Sequence, residues 1–273
     1  MELTEILKGI ILGIIQGITE WLPISSTGHL VIVEDLMSFQ LSEVFVSAFR
    51  VVVQLGWIFG VIVLFFNKLN PIDTRKTFYE KREILELWLK IIVATVPAAI
   101  VGFLFEDKIE GLLYNPITVA SMLIIYGMIF IILESRKIKG VAITSFKDLN
   151  YGKAFLIGLF QMLALVPGTS RSGATIIGAV LLGTSRFIAA EFSFFLALPI
   201  MIGASGYKML KLGTAFTQVE WIVLAVGSLT AFIVSVVIIK FLMDYIKAHD
   251  FKIFGYYRII VGLVVLVYFY LIR

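Results

Sequence analysis

The chain has 273 residues, of which 60% are hydrophobic and 15% are charged, and apolar runs of about membrane-spanning length follow one another from end to end. This composition excludes a soluble globular protein and indicates an all-α polytopic membrane protein, with a single integral membrane domain over residues 1–273. The net charge of +4 does not indicate nucleic-acid binding, because the sequence has no basic stripe with interleaved aromatic residues. The absence of cysteine excludes disulfides and thiolate metal sites.

In chain order, the first ten residues (MELTEILKGI) have neither a basic start nor a small-residue cleavage site. We therefore expect the first apolar run to stay in the mature protein. Hydropathy and charge then predict six transmembrane helices, each near the length that a membrane crossing needs. They are predicted at 46–66, 87–105, 117–134, 188–207, 221–240 and 258–273.

Charges between these runs predict the orientation of the chain. The connections at 67–86 and 135–153 each contain five Lys or Arg residues, whereas 106–116 is net acidic. By the positive-inside rule the two basic connections face the cytoplasm. Both termini are then expected outside.

Two further apolar segments, 8–34 and 154–185, are each interrupted at the centre by proline and small polar residues. If either segment crossed the membrane, the basic connections would lie on both sides. We therefore predict two re-entrant helical hairpins, each with its tip buried in protein, where non-helical backbone can be satisfied. The first is expected to enter from outside and the second from inside.

The two interrupted segments resemble each other, and each is followed by three crossings. An odd number of crossings inverts the second copy, so the pattern predicts an inverted-topology repeat, with one copy at about 1–140 and the other at about 150–273. Chance similarity between membrane segments rich in glycine and serine is the alternative. The matched positions are Gly13 with Gly158, Gln16 with Gln161, Pro23 with Pro167 and Ser26 with Ser170.

A helix is predicted to restart after each central proline, and both restarts carry hydroxyl side chains. Free backbone N–H groups and the positive dipole end at such starts attract phosphate. The alternative is that these hydroxyls only cap helices, with Ser26 as the cap of the first restart. The candidate phosphate-binding residues are Ser25, Ser26, Thr27, Ser170, Ser172 and Thr175.

Arg171 is the charged residue that most needs an explanation. A guanidinium at membrane depth is costly, so it requires an anionic partner or a function. Its planar fork suits two phosphate oxygens at once. An ion pair with Glu20 is the alternative, and the two roles are compatible because Glu20 can hold Arg171 when substrate is absent.

The stretch before and after Pro23 contains further candidate metal ligands and catalytic groups. Gln16 and Glu20 lie four residues apart, on one helix face, and their oxygens suit Mg²⁺ or Ca²⁺. His29 is a candidate general base, general acid or nucleophile, and Ser26 is the other candidate nucleophile. Gln54, inside a predicted span, is expected either to contact the site or to pack helices through its amide.

The motifs QGITEWLPISSTGH and PGTSRSGAT resemble the two signature motifs of the bacterial undecaprenyl-diphosphatase family, which is also linked to bacitracin resistance. The resemblance covers essentially the whole chain, including the stretch EFSFFLALP. It implies a plasma-membrane enzyme that hydrolyses undecaprenyl pyrophosphate to undecaprenyl phosphate and inorganic phosphate, recycling the lipid carrier of cell-wall synthesis. It also implies a dependence on a divalent cation, usually Mg²⁺ or Ca²⁺.

By this resemblance the family's essential glutamate falls on Glu20, its serine on Ser26, its histidine on His29 and its phosphate-binding arginine on Arg171. The first motif position takes Glu or Gln in the family and is Gln16 here, so a scheme that needs two acidic metal ligands is in doubt.

From these residues we expect Ser26 to be the nucleophile with His29 assisting, in a site open to the outer face. The polyprenyl tail is expected to lie between helices and membrane lipids. A transporter or flippase of a phosphate-bearing lipid is the main alternative, since inverted repeats with broken helices also build transporters. A homodimer is compatible with the sequence.

Overall fold

A computed structural model describes residues 2–37, 39–136, 141–213 and 215–272, except for the side chains at 106, 107, 110 and 212. Within these ranges the protein is helical, apart from one isolated β-bridge between Ile143 and Thr184. A 3₁₀ turn, Leu163–Leu165, follows the eighth helix, and a π-helical turn, Tyr268–Ile272, extends the last. The helices are α1 (Glu2–Thr19), α2 (Ser26–Leu36), α3 (Glu43–Val52), α4 (Gln54–Leu64), α5 (Phe66–Leu69), α6 (Phe78–Leu113), α7 (Pro116–Ser135), α8 (Tyr151–Met162), α9 (Arg171–Leu181), α10 (Arg186–Leu212), α11 (Gln218–Ala248) and α12 (Lys252–Val267).

Six helical stretches in the described residues are long and apolar enough to cross a membrane, which confirms the six predicted crossings. The first of them is formed by α3 and α4 together. Several begin earlier than hydropathy predicted, because helix-forming charged residues extend the helix beyond its apolar part. The six stretches are Glu43–Leu64, Phe78–Phe105, Pro116–Ser135, Arg186–Lys211, Gln218–Ala248 and Lys252–Ile272.

Side-chain caps explain where several of these helices begin. An Asn, Ser or Thr side chain before the first turn accepts a hydrogen bond from a free backbone N–H group. Thr217 also forms a capping box with Glu220, and Glu220 accepts a 2.5 Å hydrogen bond from the Ser42 hydroxyl, so the starts of α3 and α11 are tied together. The capping residues are Ser42, Asn115, Asn150, Ser185 and Thr217.

The helices before the two breaks pack in a reciprocal way. α1 lies along α11, and α8 lies along α6, so each contacts a span from the other half of the chain. Glycines allow both close approaches: a Cβ atom at Gly13 would lie 2.5 Å from the Gly227 carbonyl oxygen, and one at Gly158 would lie 2.2 Å from the Ala94 carbonyl oxygen. These two glycines are the pair matched in the sequence. α7 and α12 pack against each other.

The break between α1 and α2 is enclosed by protein. Trp21 is fully buried and packs edge-to-face on Trp57 and Phe194, with ring centroids 4.9 Å and 5.1 Å apart. Aromatic pairs in this geometry contribute about 0.5–1.5 kcal/mol beyond their buried area. The packing fixes the non-helical backbone of 20–25 against α4 and α10, and so positions the residues on either side of it.

Candidate active site

Each break ends at a serine in a strained backbone conformation. Ser25 has φ 71° and Ser170 has φ 73°, and they are the two non-glycine residues with positive φ in the described part of the chain. Each caps the helix that follows, because Ser25 Oγ accepts from the Gly28 N–H and Ser170 Oγ accepts from the Gly173 N–H. Such strained residues cost about 1–3 kcal/mol and cluster at functional sites.

This geometry corrects the predicted position of the first cap. The sequence placed the cap at Ser26 and matched Ser26 with Ser170, but the cap is Ser25, which corresponds to Ser170 in both backbone angle and hydrogen bonding. Ser26 and Arg171 are therefore the first residues of α2 and α9. Two adjacent serines offer equivalent capping groups, and only the backbone conformation decides between them.

Ser26 and Arg171 both contact Glu20. The Ser26 hydroxyl donates to Glu20 Oε2 at 3.0 Å, and Arg171 Nη2 donates to Glu20 Oε1 at 3.3 Å. Arg171 Nη1 donates to the Ser193 carbonyl oxygen at 2.8 Å, while its Nε–H, also buried, has no partner in the described structure. The two breaks thus meet at one carboxylate, and among the described residues two of the five guanidinium N–H groups have partners, which leaves donors for an anion.

The hydroxyls of α9 and its cap connect the two breaks. Ser172 Oγ lies 3.2 Å from the Glu20 carbonyl oxygen and 3.1 Å from Ser170 Oγ. Thr175 Oγ1 lies 2.7 Å from Ser193 Oγ and 2.9 Å from the Arg171 carbonyl oxygen. In the described structure these hydroxyls contact protein groups, so they hold the site together.

His29 faces away from the Ser26 hydrogen bond and toward α12. Its Nδ1 lies 2.8 Å from the Ser25 carbonyl oxygen and its Nε2 lies 2.8 Å from the Tyr257 hydroxyl. Because a carbonyl oxygen only accepts, Nδ1 carries the hydrogen, and neutral His29 then accepts from Tyr257 at Nε2. The two rings are stacked with centroids 5.6 Å apart.

The remaining predicted site residues make fewer contacts with the groups around Glu20. Gln16 is buried and its Oε1 has no partner among the described residues. Gln54 Nε2 lies 3.5 Å from the Arg50 carbonyl oxygen, which favours a local packing role. Thr27 is half-buried at the second position of α2. No hydrogen bond within the described structure joins these three side chains to the Glu20 carboxylate.

The donor set for a divalent cation is small. The described residues contain no group of three or more His, Cys, Asp and Glu that could enclose a metal. The unpartnered Gln16 Oε1 lies one helical turn before Glu20. Mg²⁺ and Ca²⁺ take carboxylate and amide oxygens, and Mg²⁺ commonly completes its shell with water and substrate phosphate. The residues present fit a cation of this kind, provided that Glu20 is shared with Arg171.

Comparison with known proteins identifies the family. A family model described as bacitracin resistance protein BacA matches residues 9–264. The chain belongs to the BacA family. It is 58% identical to undecaprenyl-diphosphatase 1 of Clostridioides difficile (strain 630), over 99% of this chain and 98% of the relative. It is 56% identical to undecaprenyl-diphosphatase of Acetivibrio thermocellus, over 98% and 99%, and 52% identical to undecaprenyl-diphosphatase of Enterococcus faecalis, over 97% and 98%. It is thus a bacterial multi-pass membrane protein.

Two residues of this BacA-family chain contact the site but were not predicted. Tyr257 contacts His29, and the adjacent Arg258 is fully buried and donates to the backbone of both breaks. Hydropathy placed Arg258 at the edge of the last span, but the helix begins at Lys252, which puts Arg258 inside it. The available signal was an arginine directly followed by an unbroken apolar run.

Proposed function

We propose that the chain is an integral membrane phosphatase that hydrolyses undecaprenyl pyrophosphate to undecaprenyl phosphate and inorganic phosphate, and so recycles the lipid carrier for cell-wall synthesis. Relatives named undecaprenyl-diphosphatase are 52% to 58% identical over nearly the whole chain. The observation that carries the proposal is the 3.0 Å hydrogen bond between Ser26 and Glu20, because it places a hydroxyl nucleophile next to a carboxylate that can accept its proton.

The reaction begins with Ser26. As its oxygen attacks the terminal phosphorus, Glu20 accepts the hydroxyl proton, an O–P bond forms and the anhydride P–O bond breaks. Undecaprenyl phosphate leaves with the electron pair of that bond. Water then hydrolyses the serine phosphate and releases inorganic phosphate, and Ser26 regains a proton. Arg171 stabilises the charge that develops on the phosphoryl oxygens.

His29 is the second group for proton transfer. It lies one turn after Ser26 on α2, and its Nε2 is an acceptor facing Tyr257. We expect His29 to assist Ser26, with Nε2, which accepts from Tyr257, as the ring nitrogen that can take up a proton. The structure favours Glu20 over His29 as the immediate partner of the Ser26 hydroxyl, since only Glu20 makes that hydrogen bond among the described residues.

A divalent cation, Mg²⁺ or Ca²⁺, would be held by Glu20 and Gln16. When bound, it would supply charge neutralisation for the pyrophosphate. Gln16 contributes a neutral oxygen, so the site relies on a single carboxylate and on the phosphates themselves. Gln16 Oε1, which has no hydrogen-bond partner in the part of the chain that the structure describes, supports this assignment.

Two re-entrant hairpins, α1–α2 and α8–α9, and an inverted-topology repeat form the architecture that we propose around this chemistry. Three features support it: each segment is a helix, a break and an 11-residue helix; each restart follows a serine with positive φ; and each first helix packs on a span of the other half. By the positive-inside rule the basic connections favour an α1–α2 opening on the outer side, with the site facing that side and both termini outside. The polyprenyl tail lies among membrane lipids.

Release of phosphate from a polyprenyl pyrophosphate by protein purified in detergent tests the function. We expect turnover when Mg²⁺ or Ca²⁺ is added and none after chelation. Absence of turnover in detergent, together with uptake of a phosphate-bearing lipid across liposomes, would instead favour the transporter. The hydrogen bond between Ser26 and Glu20 favours the phosphatase, because transport requires no nucleophile.

A further inference from the structure

Arg258 on α12 contacts the backbone of both breaks. Its Nη1 donates to the Pro23 carbonyl oxygen at 3.0 Å, and its Nη2 donates to the carbonyl oxygens of Gly168 and Thr169, both at 2.9 Å. The first carbonyl belongs to the break before α2, and the other two belong to the break before α9. One guanidinium therefore joins two backbone segments that are more than 140 positions apart in the sequence.

This contact comes at a high electrostatic cost. Arg258 has 0% exposure, and no carboxylate in the described part of the chain forms an ion pair with it. The nearby Tyr126 ring, 5.6 Å from the guanidinium carbon, provides a cation–π contact. Arg186 differs, because Glu134 neutralises it. A buried guanidinium held by carbonyl dipoles and one aromatic ring, with no ion pair among the described residues, indicates a role other than charge pairing.

The bound carbonyls lie next to the strained caps. Thr169 directly precedes Ser170, and Pro23 lies two residues before Ser25, and both serines have positive φ. Strained conformations persist only where the surroundings fix them. Gly173, in the first turn of α9, leaves room for this arrangement, since a Cβ atom there would lie 3.3 Å from Arg258 Nη1.

We propose that Arg258 is a positioning residue, which holds the starts of α2 and α9 in one register. The first residues of these helices are Ser26 and Arg171, and both reach Glu20 only when the two starts are correctly placed. Arg258 acts through the backbone and does not contact the substrate. This role concerns the reaction given under the proposed function, so its test includes a measurement that does not depend on activity.

The kinetic part of the test compares Arg258→Lys and Arg258→Met with Arg186→Lys. Lysine keeps the charge but has one nitrogen, which cannot reproduce the fork that reaches both breaks. We expect kcat on a polyprenyl pyrophosphate to fall about 100-fold in Arg258→Lys, because a displacement of about 1 Å costs that much, while KM changes by less than about threefold. Arg186→Lys should retain nearly full activity.

The geometric part measures the distance between the two helices. Because the chain contains no cysteine, Leu36→Cys and Leu181→Cys place spin labels at exposed positions near the ends of α2 and α9. Electron–electron double resonance should give a narrow distance distribution in the parent chain and a broader or shifted one after Arg258→Lys or Arg258→Met. Arg186→Lys should leave it unchanged.

Each outcome bears on the role. Loss of kcat with a changed distribution supports positioning. Loss of kcat with an unchanged distribution, retained kcat, or an equal change in Arg186→Lys would overturn it. If Arg258→Met is not recovered as folded protein, Arg258→Lys carries the test. If the parent chain shows no phosphatase turnover, the proposed function fails while the distance measurement still tests the position of the helices.

Discussion

Glu20 and Arg171, 151 positions apart in the sequence, form an ion pair with 3.3 Å between Glu20 Oε1 and Arg171 Nη2. Their side chains are only 12% and 7% exposed, so neither charge can be satisfied by water when the other is removed. The pair links the break between α1 and α2 to the start of α9. The proposed catalysis and the association of the two halves of the chain therefore depend on the same contact.

We expect this ion pair to show strong coupling in a double-mutant cycle. Glu20→Gln and Arg171→Gln each leave one buried charge without its partner, which should lower the free energy of unfolding by about 3 kcal/mol. The double variant should lose less than the sum of the two. Denaturant unfolding in detergent measures all three.

The exposed pair of Lys147 and Glu83, whose side chains are 71% and 48% exposed, is the matched control. Its cycle should give little or no coupling, because solvent screens it. Additive losses at Glu20 and Arg171, within about 0.5 kcal/mol, would show that the two charges do not depend on each other.

Ser26→Ala and Glu20→Gln should each reduce phosphate release by about 10²-fold to 10⁴-fold, because one removes the proposed nucleophile and the other its proposed base. The double variant should be no slower than the worse single variant, since residues that act as a unit are not additive. Turnover of a polyprenyl pyrophosphate in detergent measures this. Ser205→Ala, which removes a buried hydroxyl bound to the Val51 carbonyl oxygen, is the control. Near-normal activity of Ser26→Ala would leave His29 as the candidate nucleophile.

The six crossings and the two breaks could be predicted because hydropathy and proline are local signals. The ends of the helices were harder to predict. Helix α6 begins at Phe78, nine residues before the predicted start at 87, because charged residues that favour helix precede its apolar part. The same extension of a helix explains why hydropathy did not predict a buried position for Arg258. Its helix starts at Lys252, so a residue assigned to the membrane edge lies in the protein interior.

The composition of the site was more predictable than its hydrogen bonds. Glu20 and Arg171 could be predicted because a charged side chain at membrane depth costs free energy and therefore indicates a partner or a function. The choice of cap between Ser25 and Ser26 depends on a backbone angle that two adjacent serines do not reveal. The contact between His29 and Tyr257 joins positions 228 apart and has no local signal.

The geometry around His29 predicts a defined tautomer. The sequence has two histidines, His29 and His249, so His249→Gln leaves a single imidazole for nitrogen-15 NMR. We expect a protonated Nδ1, bonded to the Ser25 carbonyl oxygen, and an unprotonated Nε2. Tyr257→Phe should shift the Nε2 resonance toward that of a free acceptor and leave Nδ1 unchanged. A protonated Nε2 in the neutral ring would contradict the arrangement.

Gly158→Ala should destabilise the protein, because the new Cβ atom would lie 2.2 Å from the Ala94 carbonyl oxygen, a backbone atom that cannot move aside. Forced separation of α8 from α6 should cost about 1–3 kcal/mol or more. Gly206→Ala on α10 is the control, since nothing lies within 4 Å of its added Cβ atom, and it should be neutral or stabilising by up to about 1 kcal/mol. Thermal unfolding compares them, and equal effects would show that α8 and α6 are not closely packed.

The strain at Ser25 and Ser170 can be measured by replacing each with alanine and with glycine. Both replacements remove the cap, but only glycine removes the Cβ atom that makes a φ of 71° or 73° costly. We expect the glycine variants to be more stable than the alanine variants by about 2 kcal/mol, the sum of the usual difference at a cap and the relieved strain.

Ser185 provides the control, because it caps α10 with an ordinary φ of −62°. There the difference between the glycine and alanine variants should be only about 0.5–1 kcal/mol. Denaturant unfolding of the six variants gives the comparison. An equal difference at all three positions would mean that the two caps store no strain, and Arg258 would then have none to hold in place.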